Sequence, residues 1–167
     1  MAAINISYRA STIITVAPQN VATSATFVAG VESALYDNTG NKDLDVIVSG
    51  IWTAGTTPVA NTQVLIYVVA ALDDVPTWPD VFDGVSSAET ITSAGVGQSF
   101  MRLAAVLSVD SATSNRVYNC TFSIAALFGG VLPPKWVLFI THNTGVNSNA
   151  TAGNHVWKAT GISFTVL

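Results

Sequence analysis

The sequence predicts an all-β fold, a single-domain antiparallel β-sandwich of the jelly-roll type. Apolar and polar residues alternate over short segments, and no stretch of ten or more residues keeps a helical period of about 3.6. Turn-forming residues such as Asp37-Asn38-Thr39-Gly40 separate these segments. About eight short strands in a chain of 167 residues favour a sandwich, and the jelly roll is one form of it. A Greek-key sandwich with another strand order is the alternative.

The predicted strands differ in which of their faces are buried. They span residues 4–8, 12–16, 24–36, 43–53, 62–72, 100–109, 115–122, 135–142 and 154–166. Segment 62–72 is apolar on both faces, as expected of a central strand that is covered from two sides. Gly50, within segment 43–53, predicts a β-bulge before Trp52. The alternation in segment 100–109 points Met101, Leu103, Ala105, Leu107 and Val109 inward.

Three further predictions concern segment faces and connections. In segment 24–36, alternation places Phe27, Ala29, Val31, Ser33 and Leu35 on one face, and in segment 115–122 it groups Tyr118, Cys120 and Phe122. Residues 123–128 are predicted to close as one helical turn, capped by Ser123 and ended by Gly129. Residues 73–99 form the longest irregular stretch, and loops of that length are often functional.

The first twenty residues are predicted to be distinct from the main domain. Residues 1–20 alternate only weakly and form an N-terminal arm or an added edge strand, whereas residues 21–167 form the jelly-roll domain. An extended arm can add to a neighbouring sheet, where main-chain hydrogen bonds supply affinity without charge. Removing residues 1–20 is therefore expected to abolish partner binding and to leave the sandwich folded. The predicted partner-binding residues are Ile4, Ile6, Tyr8, Ile13 and Ile14.

The chain carries few charges for its size. Only 10% of its residues are charged, whereas a typical soluble domain has about 25%. The longest apolar run, residues 64–72, is too short for a spanning helix, and the six basic residues are scattered, so membrane and nucleic-acid partners are not expected. A charge-poor surface fits a secreted protein that relies on hydroxyls and amides for solubility. It fits better a subunit that neighbours cover, because the cores of protein interfaces are depleted of charge.

The cysteine content and the first residues bear on the compartment. Cys120 is the single cysteine, so an intrachain disulfide is not expected. The first residues show no basic region followed by an apolar stretch, and we therefore expect synthesis in a cytoplasm without a signal peptide.

The residues that could carry chemistry do not form a recognisable set. Residues 73–84 hold four aspartates, which could bind calcium or could belong to a solvated loop pinned by Trp78, and their spacing differs from that of an EF-hand. His142 and His155 lack the spacing of metal ligands and are expected at the surface or at loop edges. Asp43 and Asp45 are the only strictly paired acids, and they are expected to face solvent or to discourage edge pairing. No catalytic residues, no metal site and no cofactor are therefore predicted.

The four tryptophans could form a platform for stacking sugars. Trp157 is predicted to be the best exposed of them, because it lies opposite the face of Val156, Ile162 and Phe164, and Trp78 in the long loop is next. The candidate glycan or partner contacts are Trp78, Trp157, Asp80 and Asp83.

Three stretches of the sequence resemble a recurrent small structural protein of tailed bacteriophages and prophages. They are residues 32–50, 71–84 and 136–145, and the resemblance covers most of residues 24–166 but not the first twenty. It implies a jelly-roll virion protein such as a capsid decoration (cement) protein, with no catalytic residues to carry over. Head decoration proteins, head-fibre bases and tail-associated sandwiches share this composition.

Together these observations lead to one expected function and one alternative. We expect a non-enzymatic virion structural protein that is made in the host cytoplasm, forms homotrimers and binds the major capsid protein on the outer capsid surface. The alternative is a carbohydrate-binding or host-adhesion module of a phage tail or fibre, which would use the candidate glycan contacts.

Overall fold

The computed structural model describes residues 4–166 and contains two antiparallel β-sheets that pack face to face. Its strands are β1 (Ile4–Tyr8), β2 (Thr12–Ile13), β3 (Ala29–Glu32), β4 (Tyr36–Asp37), β5 (Asp45–Thr53), β6 (Thr62–Ala70), β7 (Ala88–Thr90), β8 (Arg102–Val109), β9 (Val117–Ser123), β10 (Lys135–His142) and β11 (Val156–Val166). Two short helices, α1 (Ala94–Phe100) and α2 (Ile124–Leu127), and a 3₁₀ turn at Ala152–Asn154 complete the described chain.

The order of the strands places the first strand beside the last. The first sheet has the order β1-β11-β5-β9, and β2 also pairs with β11. The second sheet has the order β7-β3-β10-β6-β8, and β4 also pairs with β10. The predicted antiparallel sandwich is therefore confirmed, and this order is consistent with a jelly roll.

The space between the sheets holds three buried tryptophan rings. Trp52, Trp136 and Trp157 are almost completely inaccessible, and Trp136 stacks on Tyr36 with 4.7 Å between ring centroids. Gly50 lies beneath the Trp157 ring, because a Cβ at that position would stand 2.2 Å from Cζ3 of Trp157. The predicted bulge at Gly50 is wrong, since β5 keeps a continuous register with both of its neighbours. The glycine is needed for the close approach of the ring.

The outer face of the second sheet is covered by the chain itself. Phe82, Ile91 and Met101, from the segment between β6 and β8, pack on Val137 and Phe139 of β10. The prediction that segment 62–72 is covered from both sides is thus confirmed. The segment that covers it also contains β7 and α1, which the sequence did not predict because each is too short to show a period.

Two predicted face assignments are wrong, each for a local backbone reason. A register shift between Ile66 and Tyr67 displaces the pairing of β8, so that Leu103 is 48% exposed instead of pointing inward. Phe27 has a φ of +58°, which no strand residue adopts, and β3 accordingly begins only at Ala29.

The helical turn after β9 is confirmed. The Ser123 hydroxyl accepts a hydrogen bond from the backbone N–H of Ala126 at 3.1 Å, and α2 follows directly. Gly129 has a φ of +72°, the left-handed conformation that ends helices.

The paired acids Asp43 and Asp45 are both engaged in hydrogen bonds, and Asp43 does not face solvent, contrary to expectation, whereas Asp45 is half-buried. Asp43 is buried and accepts two hydrogen bonds from the guanidinium of Arg9. Asp45 accepts from the Ser123 hydroxyl at 2.7 Å and from the backbone N–H of Ala125 at 2.8 Å. Both carboxylates therefore connect segments that are far apart in sequence. Contacts of this kind cannot be predicted from the spacing of neighbouring residues.

Glu32 is a fully buried carboxyl group that holds the covering segment onto the second sheet. It accepts hydrogen bonds from the backbone N–H groups of Gly84 at 2.7 Å and Asp83 at 3.3 Å. Burial raises the pKa of Glu32 to about 7, against 4.5 in the unfolded chain, although both hydrogen bonds favour the charged form.

The raised pKa predicts that stability falls as the pH rises. Between pH 4.5 and about 7 the folded chain keeps a proton on Glu32 that the unfolded chain releases. Glu32 therefore stabilises the fold fully below pH 4.5, and roughly 3 kcal/mol is lost as the pH rises through 7. Urea unfolding across this range should show a free energy of unfolding that falls more steeply with pH in the wild type than in Glu32→Gln. The buried His142 and His155, whose pKa values are lowered by burial, add the same rise with pH to both proteins. Glu89→Gln, at the only other glutamate, removes only a weak like-charge contribution to the Glu32 pKa, so its slope should stay close to that of the wild type. Equal slopes in wild type and Glu32→Gln would contradict the assignment.

Candidate interaction surface

An apolar patch lies on the outer face of the first sheet, at its β1 edge. Ile4, Ile6 and Tyr8 alternate along β1, and their side chains are 60–69% exposed. The register places Ile6 opposite Phe164 and Tyr8 opposite Ile162 on β11. These five residues form one continuous surface, called the β1 patch below.

The β1 patch is exposed because β1 joins the domain through its main chain. Ladder hydrogen bonds to β11 hold the strand in place, and side chains on successive residues point to opposite faces. Ile4, Ile6 and Tyr8 therefore lie on the face that is turned away from the core. Burying an isoleucine or aromatic side chain of this kind contributes about 1.5–3 kcal/mol, which the described chain leaves unused at these positions.

Ile13 and Ile14 were both predicted to contact a partner, and the structure separates them. Ile13 is exposed and pairs with Lys158 on the outer face of the first sheet. Ile14 is only 6% exposed and belongs to the core between the sheets, because its side chain points the opposite way. The assignment of Ile14 to a partner contact is therefore wrong. Within the described chain, residues 4–8 form an added edge strand.

Ile162 and Phe164 were not predicted as contact residues, because alternation predicted them on the core face of the last strand. The structure instead turns Trp157, Ala159 and Gly161 inward. The signal that could have corrected this is Lys158, which shares the outer face with both residues because all three are an even number of positions apart.

Few charges interrupt the outer face of the first sheet. Lys158 is exposed there, and the carboxylate of Asp45 is already engaged by Ser123 and Ala125. The rest of the face in residues 4–166 is formed mainly by Ile, Val, Thr, Ser and Asn side chains, including Ile51 and Val117. Within residues 4–166 the two sheets thus differ: the chain's own segment covers β10 and β6 of the second sheet but leaves Leu103 and Val106 of β8 exposed, whereas no segment covers the first.

The free edge of β1 lacks the features that usually protect a sheet edge. The strand Ile4–Tyr8 contains no proline and no charged residue, and the first charge after it, Arg9, turns away to Asp43. Lysines, prolines and bulges are the usual protections against pairing with another chain. The opposite edge strand, β9, lies against β8 of the other sheet. The arrangement can therefore bind a protein partner both by main-chain pairing and by apolar contact.

The predicted tryptophan platform does not form. Trp157, expected to be the most exposed, is buried on its register partner Gly50, whose missing side chain leaves room for the ring. Trp78 is half-buried and packs on the cluster that covers the second sheet.

Three of the four aspartates of the acidic loop, Asp73, Asp80 and Asp83, accept hydrogen bonds from other groups of the described chain. Asp80 accepts hydrogen bonds from the Thr92 N–H at 2.8 Å and hydroxyl at 2.6 Å, and Asp83 accepts from the N–H of Val85 at 2.8 Å. Asp73 bonds to Thr77 in the same manner. Within residues 4–166 no group of three or more His, Cys, Asp or Glu side chains could hold a metal ion.

Both histidines lie inside the fold, contrary to the expectation of surface positions. His142 contacts the Thr144 hydroxyl at 3.0 Å and the carbonyl of Val21 at 3.1 Å, and burial lowers its pKa. His155 is also buried, and its pKa is likewise lowered by burial. Cys120 faces the core, where burial raises the pKa of its thiol to about 11 and keeps it protonated at neutral pH.

The chain matches no protein-family model, and a search of curated proteins finds no significant match. In the described part of the chain, neither helix has the length and apolar character needed to cross a membrane.

Proposed function

We propose that this chain is a non-enzymatic virion structural protein, a capsid decoration protein that binds copies of itself and the major capsid protein. The observation that carries the proposal is the β1 patch, an uncharged apolar surface beside an unprotected strand edge. A contact of this kind suits permanent assembly, because obligate interfaces resemble a domain core that has been divided. The resemblance of residues 32–50, 71–84 and 136–145 to phage structural proteins supports the same assignment.

We assign the contact between copies of the chain to the β1 patch. Three copies that are joined through this patch form the trimer. A patch without charge is compatible with an identical patch, since neither side presents a repelling group. The low overall charge favours the same conclusion, because 10% charged residues leave few groups to be desolvated when surfaces meet. The capsid protein then meets the remaining bare surface of the first sheet, around Ile51 and Val117.

The experiment must leave the core intact. Deleting residues 1–20 would also remove Arg9, which bonds to Asp43, and Ile14, which fills the core, so we now expect this deletion to destabilise the sandwich. A single charge in the patch avoids the difficulty. Ile6→Lys places an ammonium opposite Phe164 on an exposed strand, where substitution costs little stability.

Ile6→Lys is expected to convert trimers to monomers and to prevent the chain from joining particles. Sedimentation velocity measures the first result. Mass spectrometry of purified heads measures the second, and the heat stability of those heads, with and without the chain, tests the decoration role. Leu103→Lys is the matched control, because Leu103 is also an exposed apolar strand residue but lies on β8 of the second sheet.

Three results would contradict the proposal. They are a wild-type chain that stays monomeric, equal behaviour of the two lysine variants, and particles that contain none of the chain.

A further inference from the structure

Four loops meet at one end of the sandwich and border a groove of about 350 Å³. They are the connections β2–β3, β5–β6, β8–β9 and β10–β11. Side chains of Asn20, Thr56, Asn115, Asn147 and Thr151 line the groove. Sites for small ligands have volumes of about 300–1,000 Å³, so the groove falls within that range.

The floor of the groove is fixed by main-chain contacts. The N–H of Asn20 donates to the carbonyl of Asn149 at 3.1 Å, and Nε2 of the buried His155 bonds the same carbonyl at 3.0 Å. Gly55 allows the loops to approach, since a Cβ there would lie 1.9 Å from the carbonyl oxygen of Asn147. The groove is therefore preformed, and a ligand would not have to order it.

Hydrogen bonds to the backbone orient the amides that line the groove. Oδ1 of Asn149 accepts from the N–H of Thr151 at 2.8 Å, so its Nδ2 must donate, and it does so to Oδ1 of Asn115 at 2.7 Å. Nδ2 of Asn147 donates to Oδ1 of Asn20 at 3.1 Å. Within residues 4–166 this leaves Nδ2 of Asn115, Nδ2 of Asn20 and Oδ1 of Asn147 with no hydrogen-bond partner.

The groove thus offers two amide donors and one amide acceptor, together with the hydroxyls of Thr56 and Thr151, which also lack partners within the described residues. Left-handed backbone explains the asparagines at two of these positions, because Asn20 and Asn115 have φ of +55° and +59°. It does not explain Asn147, whose φ is not positive. Asn147 and the two threonines are therefore available for a ligand.

The groove is electrically neutral. None of the residues that line it within the described chain is charged. Arg116, which follows Asn115, is already paired with Asp110 at 2.9 Å. A phosphate or carboxylate would find no cation among the lining residues, and a metal ion would find no carboxylate.

We propose that this groove binds a neutral saccharide. Each saccharide hydroxyl donates and accepts a hydrogen bond, which complements a set of fixed amide and hydroxyl groups of both kinds. Val146 adds an apolar contact for the C–H groups of the ring. The proposal is independent of the β1 patch, and it uses none of the residues that were predicted as glycan contacts.

The test uses the full chain and an array of neutral and sialylated glycans, followed by calorimetric titration with the strongest neutral binder. The double variant Asn115→Gly, Asn147→Ala removes the free donor of Asn115 and the free acceptor of Asn147, and glycine keeps the left-handed backbone at position 115. It also releases Nδ2 of Asn149 and Oδ1 of Asn20, so the fixed positions of the amide groups are lost together with the two free groups. We expect binding to weaken by about fourfold to a hundredfold, because each lost neutral hydrogen bond weakens it by about two- to tenfold.

The matched control is Asn61→Gly, Asn119→Ala. Asn61 is exposed with a φ of +61°, like Asn115, and Asn119 is exposed on β9, so both changes lie outside the groove. Unchanged affinity in this control, with loss in the groove variant, supports the proposal. It is overturned if no neutral glycan binds, if only sialylated glycans bind, or if both double variants bind equally. Loss of particle binding in the groove variant without any glycan binder would also overturn it and would assign the groove to a protein contact.

Discussion

Replacing Arg9 by alanine is expected to lower the free energy of unfolding by about 3 kcal/mol. Arg9 follows β1 and donates to both oxygens of Asp43, from Nε to Oδ1 at 2.8 Å and from Nη2 to Oδ2 at 2.7 Å. The Asp43 side chain is 0% exposed, so the variant leaves a buried carboxylate without its cation. Because the Arg9 side chain is 32% exposed, water can reach the vacated position, which sets the loss at the lower end of the usual range of about 3–5 kcal/mol.

Urea unfolding of three variants isolates this contribution. Arg9→Lys keeps the charge but loses the two-point contact, so its effect should fall between the wild type and Arg9→Ala. Arg116→Ala breaks the exposed pair with Asp110 and should cost less than about 1 kcal/mol. Equal losses at positions 9 and 116 would show that burial of Asp43 does not strengthen the pair.

Phe82→Ala is expected to cost about 3–5 kcal/mol and to loosen the segment that covers the second sheet. The Phe82 ring is buried and meets the rings of Phe139 and Phe100 edge-on, at centroid distances of 5.5 Å and 5.9 Å. Its removal leaves a cavity between the covering segment and β10. Hydrogen exchange measures the local effect and should show faster exchange at β7, which the segment contains.

The neighbouring residue supplies the control for Phe82→Ala. Val81 lies in the same loop but is exposed, so Val81→Ala should change the free energy of unfolding by no more than about 0.5 kcal/mol. If Phe82→Ala were equally mild, the segment would not be packed on the sheet. The second sheet would then present a bare face like the first, which would remove the asymmetry on which the interaction surface depends.

The sequence predicted the long strands well because their apolar pattern is local. The predicted strand 135–142 has the same bounds as β10 in the structure. Segment 62–72 was correctly predicted to be covered on both faces. Both segments contain continuous apolar runs. The β-bulge in β8 could not be predicted, because it depends on the register against β6. Nor could the burial of Asp43, whose partner Arg9 lies 34 residues away along the chain.

The candidate surface was predicted in part, for related reasons. The exposure of Ile4, Ile6 and Tyr8 agrees with the expectation that the first residues carry contacts, although partner binding itself stays a prediction. Phe164 was missed because both faces of its strand carry large apolar residues and the charge of Lys158 on the Phe164 face was not weighed. The space over Gly50, which accepts the Trp157 ring, lies on another strand and could not be predicted from local alternation. The groove was missed because its asparagines come from three loops that only the folded chain brings together.

The pairing of β1 with β11 also bears on how the chain folds during synthesis. β11 lies between β1 and β5, so the first sheet lacks its central strand until the last described residues have left the ribosome. The isoleucine-rich strand β1 therefore stays unpaired during most of synthesis, because Ile4 pairs with Val166 near the far end of the described chain. Long-range pairing of this kind makes folding slow and leaves strands open to aggregation in the meantime. A nascent chain that stalls before β11 should therefore recruit chaperones more strongly than one that is released complete.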